Sequence, residues 1–201
     1  MISLYSGTPG SGKSLHTAER IYYALLMGKP VVCNFEINKN CVKHYELFSY
    51  YDNSKLTPEL LKDISQKHFK GKKVKEGSIL LVIDECQMMF NARNWDKSGR
   101  DEWNKFFQLH RHFGYDIILV AQFDRMIDRQ IRSLIEYEYI HRKVSNFGLK
   151  GRLLCLAMLS KDIFVSVKMW YPLKEKVSSE FFRAKKKYYQ IYDTFVLLDA
   201  S

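Results

Sequence analysis

The sequence lacks the patterns that mark secreted, disulfide-bonded or membrane-spanning chains. Its four cysteines, Cys33, Cys41, Cys86 and Cys155, form no C-x-x-C pair, which argues against a zinc site or disulfide framework and favours reduced thiols in a cytosolic setting. No signal peptide is recognisable, and no run of about 18 uninterrupted apolar residues occurs, so these residues are not predicted to span a membrane. The sequence also contains no internal repeat, low-complexity segment or long linker that would divide it.

The composition predicts a basic, well-folded domain. The chain has 201 residues, of which 46% are hydrophobic, enough for one buried α/β domain and too many for a disordered chain. Its net charge of +10 suits a polyanionic partner, either nucleic acid or an anionic membrane face. The excess positive charge is concentrated at residues 67–75 (KHFKGKKVK) and 183–187 (RAKKK). Such runs are more often solvated surfaces than binding sites, so both are candidates only.

The strongest motif is a phosphate-binding loop near the N-terminus. The stretch GTPGSGKS fits G-x-x-x-x-G-K-[ST] and consists of Gly7, Thr8, Pro9, Gly10, Ser11, Gly12, Lys13 and Ser14. Apolar residues precede it and a helical pattern follows, which is the context that this loop requires and which argues against a chance match. Its backbone N–H groups and the helix N-terminus would bind phosphates. Lys13 would contact the β- and γ-phosphates, and the Ser14 hydroxyl would ligate Mg²⁺.

Strand and helix patterns alternate along most of the chain. Helices are predicted at residues 15–27, 57–68 and 100–114, and strands at residues 31–34, 78–85 and 116–122. This alternation predicts a doubly wound parallel sheet whose ligand lies beyond the carboxyl ends of the strands. We expect residues 1–135 to form the nucleotide-binding core. From Glu136 onward, aromatic-rich alternating segments predict strands in an added sheet or hairpin, so residues 136–201, with a helix, would complete or extend the same domain.

Polar side chains stand at the ends of two apolar strands. Asp84, after the run ILLVI, is placed where a P-loop enzyme holds Mg²⁺ through an acidic residue. Glu85 beside it would orient and deprotonate a water molecule, which favours hydrolysis over transfer to another acceptor. Gln122 would sense the γ-phosphate or the attacking water. Two solvated acids at a strand end and a glutamine at the edge of the core are the simpler alternatives.

Several arginines are candidates for a residue that completes the site of a neighbouring copy. Arg125 and Arg129 follow Gln122 in QFDRMIDRQIR, together with Arg132, and Arg93 follows the two acids. An arginine that reaches a phosphate in another subunit would make the active form a homo-oligomer. Any single one of these arginines is more often structural.

Three stretches together resemble a known family. GTPGSGKS, VIDECQMMF and especially HRHFGYDIILVAQ are similar to the cytoplasmic N-terminal domain of zonular occludens toxin-like proteins, the assembly ATPases of filamentous bacteriophages. The resemblance covers nearly all of the chain and differs from many relatives at Ala121 and Cys86. It implies that residues 7–14 bind phosphate, that Asp84 and Glu85 are the acidic pair, and that Gln122 is the polar residue at the strand end.

The resemblance also implies a fold, cofactors and partners. The fold would be a RecA-like P-loop NTPase, and the cofactors would be ATP and Mg²⁺. The expected function is a motor that couples ATP hydrolysis to virion assembly and to the export of single-stranded DNA, at the cytoplasmic face of the bacterial inner membrane. The partners would be other copies of the chain, single-stranded DNA or phage assembly proteins, and the membrane through a segment outside this sequence. The toxin activity of some members is not expected here.

Two other functions fit the phosphate loop alone. A P-loop kinase would require an acceptor pocket and usually an arginine-rich lid, which the sequence does not display, and Glu85 favours water as the acceptor. A scaffold that binds ATP without hydrolysing it would not require intact acids.

Overall fold

The computed structural model describes residues 1–91, 97–157 and 162–192. Its strands are β1 (Ile2–Ser6), β2 (Val31–Cys33), β3 (Phe48–Tyr50), β4 (Ile79–Ile83), β5 (Tyr115–Val120), β6 (Tyr137–Lys143), β7 (Ile163–Trp170) and β8 (Glu175–Arg183). Its helices are α1 (Lys13–Leu26), α2 (Pro58–His68), α3 (Lys97–Leu109), α4 (Arg129–Arg132), α5 (Gly148–Ala157) and α6 (Lys186–Tyr189). Within these ranges, no helix combines the length and apolarity needed to cross a membrane.

The eight strands form one sheet in the order β3-β2-β4-β5-β1-β6-β7-β8. The strands from β3 to β6 in this order are parallel, whereas β7 pairs antiparallel with β6 and β8 antiparallel with β7. β1 lies between β5 and β6, with Leu4 opposite Leu119 on one side and Glu138 on the other. All five residues of β1 and of β4 are buried, as expected for central strands covered on both faces.

Helices cover both faces of the sheet. On one face, α2 and α3 bury Leu61, Trp103 and Phe106 against alternate residues of β4 and β5. On the opposite face, α1 buries Leu15 and Ile21 against the other residues of those strands, together with side chains from the C-terminal end. The predicted doubly wound sheet is therefore confirmed, and its two cores follow from the strict alternation of side chains along each strand.

The structure differs from the prediction mainly at the two margins of the sheet. The sequence placed every strand after Glu136 beyond the core, but β6 pairs directly with β1, and only β7 and β8 form an added hairpin. Two strands were not predicted. β3 has only three residues, and β8 is almost wholly exposed and polar, so neither carries the apolar pattern from which strands are recognised.

Candidate active site

The polar residues predicted from sequence meet at the carboxyl edge of the parallel strands. The phosphate loop, residues 7–14, follows β1, Asp84 and Glu85 follow β4, and Gln122 follows β5. The strand ends are tied together where the Gly7 N–H donates to the Gln122 carbonyl at 3.1 Å. Because β4, β5 and β1 are adjacent in the sheet, this edge is where an α/β fold of this kind binds its ligand.

The phosphate loop leads directly into an uncapped helix. Gly12 is the N-cap residue of α1, and no side chain caps the helix start. The first N–H groups of a helix have no partner within the helix, and they carry the positive end of its dipole. The Ser11 hydroxyl oxygen is buried without a protein partner. These unsatisfied donors fit a bound phosphate group.

Lys13 directs its charge into the same loop. Its side chain is buried, and Nζ donates to the carbonyls of Gly7 at 2.7 Å and Thr8 at 3.3 Å. Burial lowers the pKa of Lys13, and the nearby Glu85 and Asp84 carboxylates partly oppose that change. A buried ammonium group without a full ionic partner is costly, and a phosphate group would provide that partner.

Gly12 has a conformation and a neighbour that exclude a side chain. Its φ is +97°, and an added Cβ would lie 2.6 Å from Cδ1 of Phe164. Phe164 is itself buried in the α1 face of the sheet, so it has little room to move. Gly10 also has a positive φ, +71°, but an added Cβ there would meet no atom within 4 Å. The two glycines therefore form a matched pair that separates backbone strain from steric overlap.

Gly12→Ala is expected to destabilise the protein more than Gly10→Ala. A left-handed backbone costs an alanine about 1–2 kcal/mol, and this term applies to both variants. Gly12→Ala adds overlap with Phe164, which we expect to cost about 1–3 kcal/mol more, as for other overpacked cores. Urea unfolding followed by circular dichroism measures the difference. Equal midpoints for the two variants would contradict the packing of Phe164 against the loop.

Asp84 is held rigidly at the end of β4. Asn34, which follows the neighbouring strand β2, accepts from the Asp84 N–H at 2.7 Å and donates to the Asp84 carbonyl at 2.8 Å. The Asp84 Oδ1 atom accepts from the Glu85 N–H at 2.9 Å, and Oδ2 accepts from the Tyr192 hydroxyl. Burial raises the pKa of the Asp84 carboxyl group, although the two hydrogen bonds oppose this shift. A divalent cation at this carboxylate would favour the ionised form.

Glu85, directly after Asp84, has an unusual backbone conformation. Its φ is +44° and its ψ is 44°, a left-handed conformation that is uncommon outside glycine. The Gln87 side-chain amide donates to Glu85 Oε2, which fixes the orientation of the carboxylate. Outliers of this kind concentrate at functional sites because the surrounding structure must maintain them. Glu85 thus has a position and an orientation that suit a base acting beside Asp84.

Gln122 lies at the wall of a cavity of about 510 Å³ that opens beside the phosphate loop. The cavity is also lined by Gly7 and Thr8 from the loop and by residues of β6 and the turn after it, including His141 and Arg142. The Gln122 side chain is half-buried. Its position is compatible with the predicted role near the γ-phosphate, which stays a prediction.

Two of the candidate arginines lie on the surface of the chain. Arg125 is exposed in the 3₁₀ turn Asp124–Met126, and Arg129 is exposed at the first position of α4. Arg93 lies outside the described residues. An arginine that acts on a neighbouring copy must be accessible, so exposure is compatible with that role, which also stays a prediction.

Sequence reasoning missed several residues of the site. Asn34 could have been found, because it is a polar residue directly after a strand that neighbours β4. Gln87 follows Glu85 by two positions but carries no motif of its own. Tyr192 reaches Asp84 from the far end of the chain, and no local pattern indicates that contact.

A pair of buried histidines connects α1, the helix after the phosphate loop, to β6. His16 Nδ1 lies 2.8 Å from His141 Nε2, and His141 Nδ1 lies 3.3 Å from the Ser6 carbonyl. Because a carbonyl only accepts, His141 carries its proton on Nδ1 and accepts from His16. Burial lowers the pKa of His16 to about 4 and that of His141 to about 3. The pair is therefore neutral near pH 7 and links α1 to β6.

Comparisons with known proteins agree with this architecture. ORF301 of Pseudomonas phage Pf3, whose proposed role is that of an assembly protein, is 32% identical over 137 residues, which are 67% of this chain and 40% of that protein. The N-terminal domain of zonular occludens toxin from Neisseria meningitidis aligns over 96% of this chain and 98% of that domain, with 20% identity and a TM-score of 0.59. The genome packaging NTPase B204 from Sulfolobus turreted icosahedral virus 2, solved in complex with ATP-γS, aligns over 92% of this chain and 97% of that chain, with 14% identity and a TM-score of 0.50.

These likenesses identify the fold as that of the RecA-like P-loop NTPases. The chain spans about two fifths of the length of the curated phage proteins it matches. The sequence profile of the zonular occludens toxin family matches residues 1–196, which is nearly the whole chain. The chain therefore belongs to the zonular occludens toxin (Zot) family.

Proposed function

We propose that this chain is the ATP-hydrolysing part of a phage assembly motor, which couples hydrolysis to virion assembly and to the export of single-stranded DNA at the cytoplasmic membrane. One observation carries the proposal. The phosphate loop with Lys13, the acidic pair Asp84 and Glu85, and the strand-end residue Gln122 converge at one edge of a RecA-like sheet. A loop that binds phosphate, an acid for a metal and an acid for water are the parts that NTP hydrolysis requires.

In this proposal, the phosphate loop and the start of α1 bind the nucleotide. The N–H groups at the start of α1 and the buried Lys13 ammonium would hold the β- and γ-phosphates. The Ser14 hydroxyl and the Asp84 carboxylate would hold Mg²⁺, because both supply the oxygen ligands that Mg²⁺ prefers. When bound, Mg²⁺ neutralises phosphate charge. Asn34 positions Asp84 for this task through its two backbone hydrogen bonds.

In this proposal, Glu85, the residue next to Asp84, carries out the hydrolytic step. Glu85, oriented by Gln87, would accept a proton from water as the water attacks the γ-phosphorus. Gln122 would orient the same water or sense the phosphate from the neighbouring strand. A kinase of a small acceptor would not need a base for water at this position.

Support for the assembly role comes from the relatives and from charge. The related ORF301 has a proposed assembly role, and the B204 protein with the same fold packages a genome. The net charge of +10 favours a polyanion such as single-stranded DNA. The exposed residues Lys70, Lys72 and Lys73 precede β4, so they lie at the edge of the sheet opposite the phosphate loop. DNA held there would leave the nucleotide site free.

We expect the specific ATPase activity to rise with protein concentration. Arg125 and Arg129 are exposed on their own chain, so either is accessible to the site of another copy, and a site completed in that way forms only in a homo-oligomer. The measurement is phosphate release over a wide dilution series, with the oligomeric state followed by light scattering. Arg125→Ala and Arg129→Ala variants identify the residue, since only the one that acts in trans lowers the activity of the oligomer.

Other outcomes separate this proposal from its alternatives. Constant specific activity from monomers at every concentration would exclude a shared site. Transfer of the γ-phosphate to an added acceptor, detected by mass analysis of the products, would indicate a kinase. Tight ATP binding without phosphate release in the concentrated oligomer would indicate a scaffold that binds ATP only to control assembly.

A further inference from the structure

The hydroxyl group of Tyr192 lies against one of the two proposed metal ligands and beside the other. It donates to Asp84 Oδ2, and the Ser14 side chain is close enough to influence the same hydroxyl. Ser14 and Asp84 are the two residues that would ligate Mg²⁺. Oδ1, the other oxygen of Asp84, already accepts from the Glu85 N–H, so both carboxylate oxygens have protein donors.

Packing fixes Tyr192 in this position. We refer to residues 186–192 as the terminal segment. Within it, Tyr188 and Ile191 are buried to 1% and 0% exposure in the core on the α1 face. The Ile191 carbonyl accepts from the Asn38 N–H at 3.1 Å, and the Tyr192 ring lies 4.7 Å from the ring of Phe35. The contact with Asp84 therefore belongs to a packed element.

The Tyr192 hydroxyl and a metal ion compete for the same approach to Asp84. A carboxylate oxygen only accepts, so the Tyr192 hydroxyl is the donor in its contact with Oδ2. Mg²⁺ requires near-octahedral oxygen coordination and usually retains several waters. Each oxygen of an ionised carboxylate keeps a second lone pair after accepting one hydrogen bond, so the competition is for the space beside Asp84. The Tyr192 phenol lies against Oδ2, and it must turn aside for Mg²⁺ or a bridging water to approach from this side.

We propose that Tyr192 is a gate on the metal half of the nucleotide site, which opposes Mg²⁺ binding until the terminal segment moves. This inference rests on the proposed function, because it assumes that Ser14 and Asp84 hold Mg²⁺ with ATP. The gate acts on affinity for the metal-bound nucleotide and leaves the contacts of Lys13 with the phosphates unchanged. It couples the position of residues near the C-terminal end of the described chain to the loading of the site.

The test compares Tyr192→Phe with Tyr188→Phe. Tyr192→Phe keeps the ring against Phe35 and removes only the hydroxyl. Tyr188→Phe removes a hydroxyl from the same segment that bonds to the Tyr23 hydroxyl at 3.3 Å instead of to Asp84. Binding of ATP-γS is measured by calorimetry with Mg²⁺ and again with EDTA. We expect Tyr192→Phe to bind about tenfold more tightly than the parent with Mg²⁺ and equally with EDTA, since a hydrogen bond to a charged group is lost.

Tyr188→Phe should match the parent under both conditions. Equal affinity of the parent and Tyr192→Phe with Mg²⁺, or weaker binding by Tyr192→Phe, would overturn the gate while leaving the proposed function intact. If neither binds nucleotide, the proposed function fails, and the gate fails with it. Hydrogen exchange supplies a second measurement that needs no variant. The amides of residues 188–192 should lose protection when Mg²⁺ and ATP-γS are added, and unchanged protection would contradict the gate.

Discussion

Replacing Glu85 with Gln is expected to lower the rate of ATP hydrolysis by about a hundredfold or more, the usual loss when a general base is removed. Affinity for Mg–ATP should stay close to that of the parent, because the role proposed for Glu85 is toward the water and not toward the bound phosphates. The Gln87 amide that now contacts Glu85 Oε2 still finds an acceptor in the new side chain. The measurement is phosphate release by concentrated protein, with nucleotide binding followed in parallel by calorimetry.

A matched control is Glu59→Gln, which removes one negative charge from α2, where the side chain is 59% exposed. That variant should hydrolyse ATP like the parent. If Glu85→Gln also retains the parental rate while Lys13→Ala is inactive, Glu85 is not the base. The hydrolytic proposal would then lose the residue that separates it from phosphoryl transfer to another acceptor.

Replacing Lys13 with Ala should abolish turnover and weaken ATP binding as well, by about tenfold to a hundredfold. The Lys13 ammonium would contact the phosphates in the ground state and in the transition state, so its loss affects both constants. This pattern differs from that of Glu85→Gln, in which binding is kept. Calorimetry with ATP-γS gives the affinity, and phosphate release gives the rate.

The Lys13→Ala protein should remain folded. The variant loses the hydrogen bonds to the carbonyls of Gly7 and Thr8, but it also removes a buried charge whose desolvation is unfavourable. Lys55→Ala, at a side chain that is 74% exposed, serves as a control for the loss of one positive charge. Parental affinity in a folded Lys13→Ala variant would show that the loop does not bind the nucleotide through this residue.

Local motifs made half of the site predictable. The phosphate loop at residues 7–14 follows from short-range sequence, because a glycine-rich turn between a strand and a helix has one favoured geometry. The location of Asp84 and Glu85 follows from their place after a buried strand, but the left-handed backbone of Glu85 does not. Their convergence follows from the parallel order of β4, β5 and β1. The same reasoning could have included Asn34, which follows β2 and holds the Asp84 backbone.

The remainder of the site depends on contacts that no short stretch encodes. Tyr192 meets Asp84 across 108 positions of sequence, and His16 meets His141 across 125 positions. Neither contact leaves a periodic pattern, because each depends on where β6 and the terminal segment pack. The predicted boundary of the nucleotide-binding core at residue 135 also depends on contacts between distant parts of the sequence. The aromatic pattern after Glu136 predicts strands correctly, but only the completed sheet places β6 beside β1.

The central position of β1 has a consequence for how the chain folds during synthesis. β1 is made before every other strand of the sheet, and its partners β5 and β6 come much later, with Ser3 paired to Ile118 and to Tyr137. At a synthesis rate of about 5–20 residues per second, its buried apolar side chains wait roughly 7 to 28 seconds until β6, which ends at Lys143, has been made. Strand pairs whose residues are this distant in sequence also form slowly. Since Phe164 of β7 packs against Gly12, the phosphate loop acquires its final neighbours only after β7 has been made.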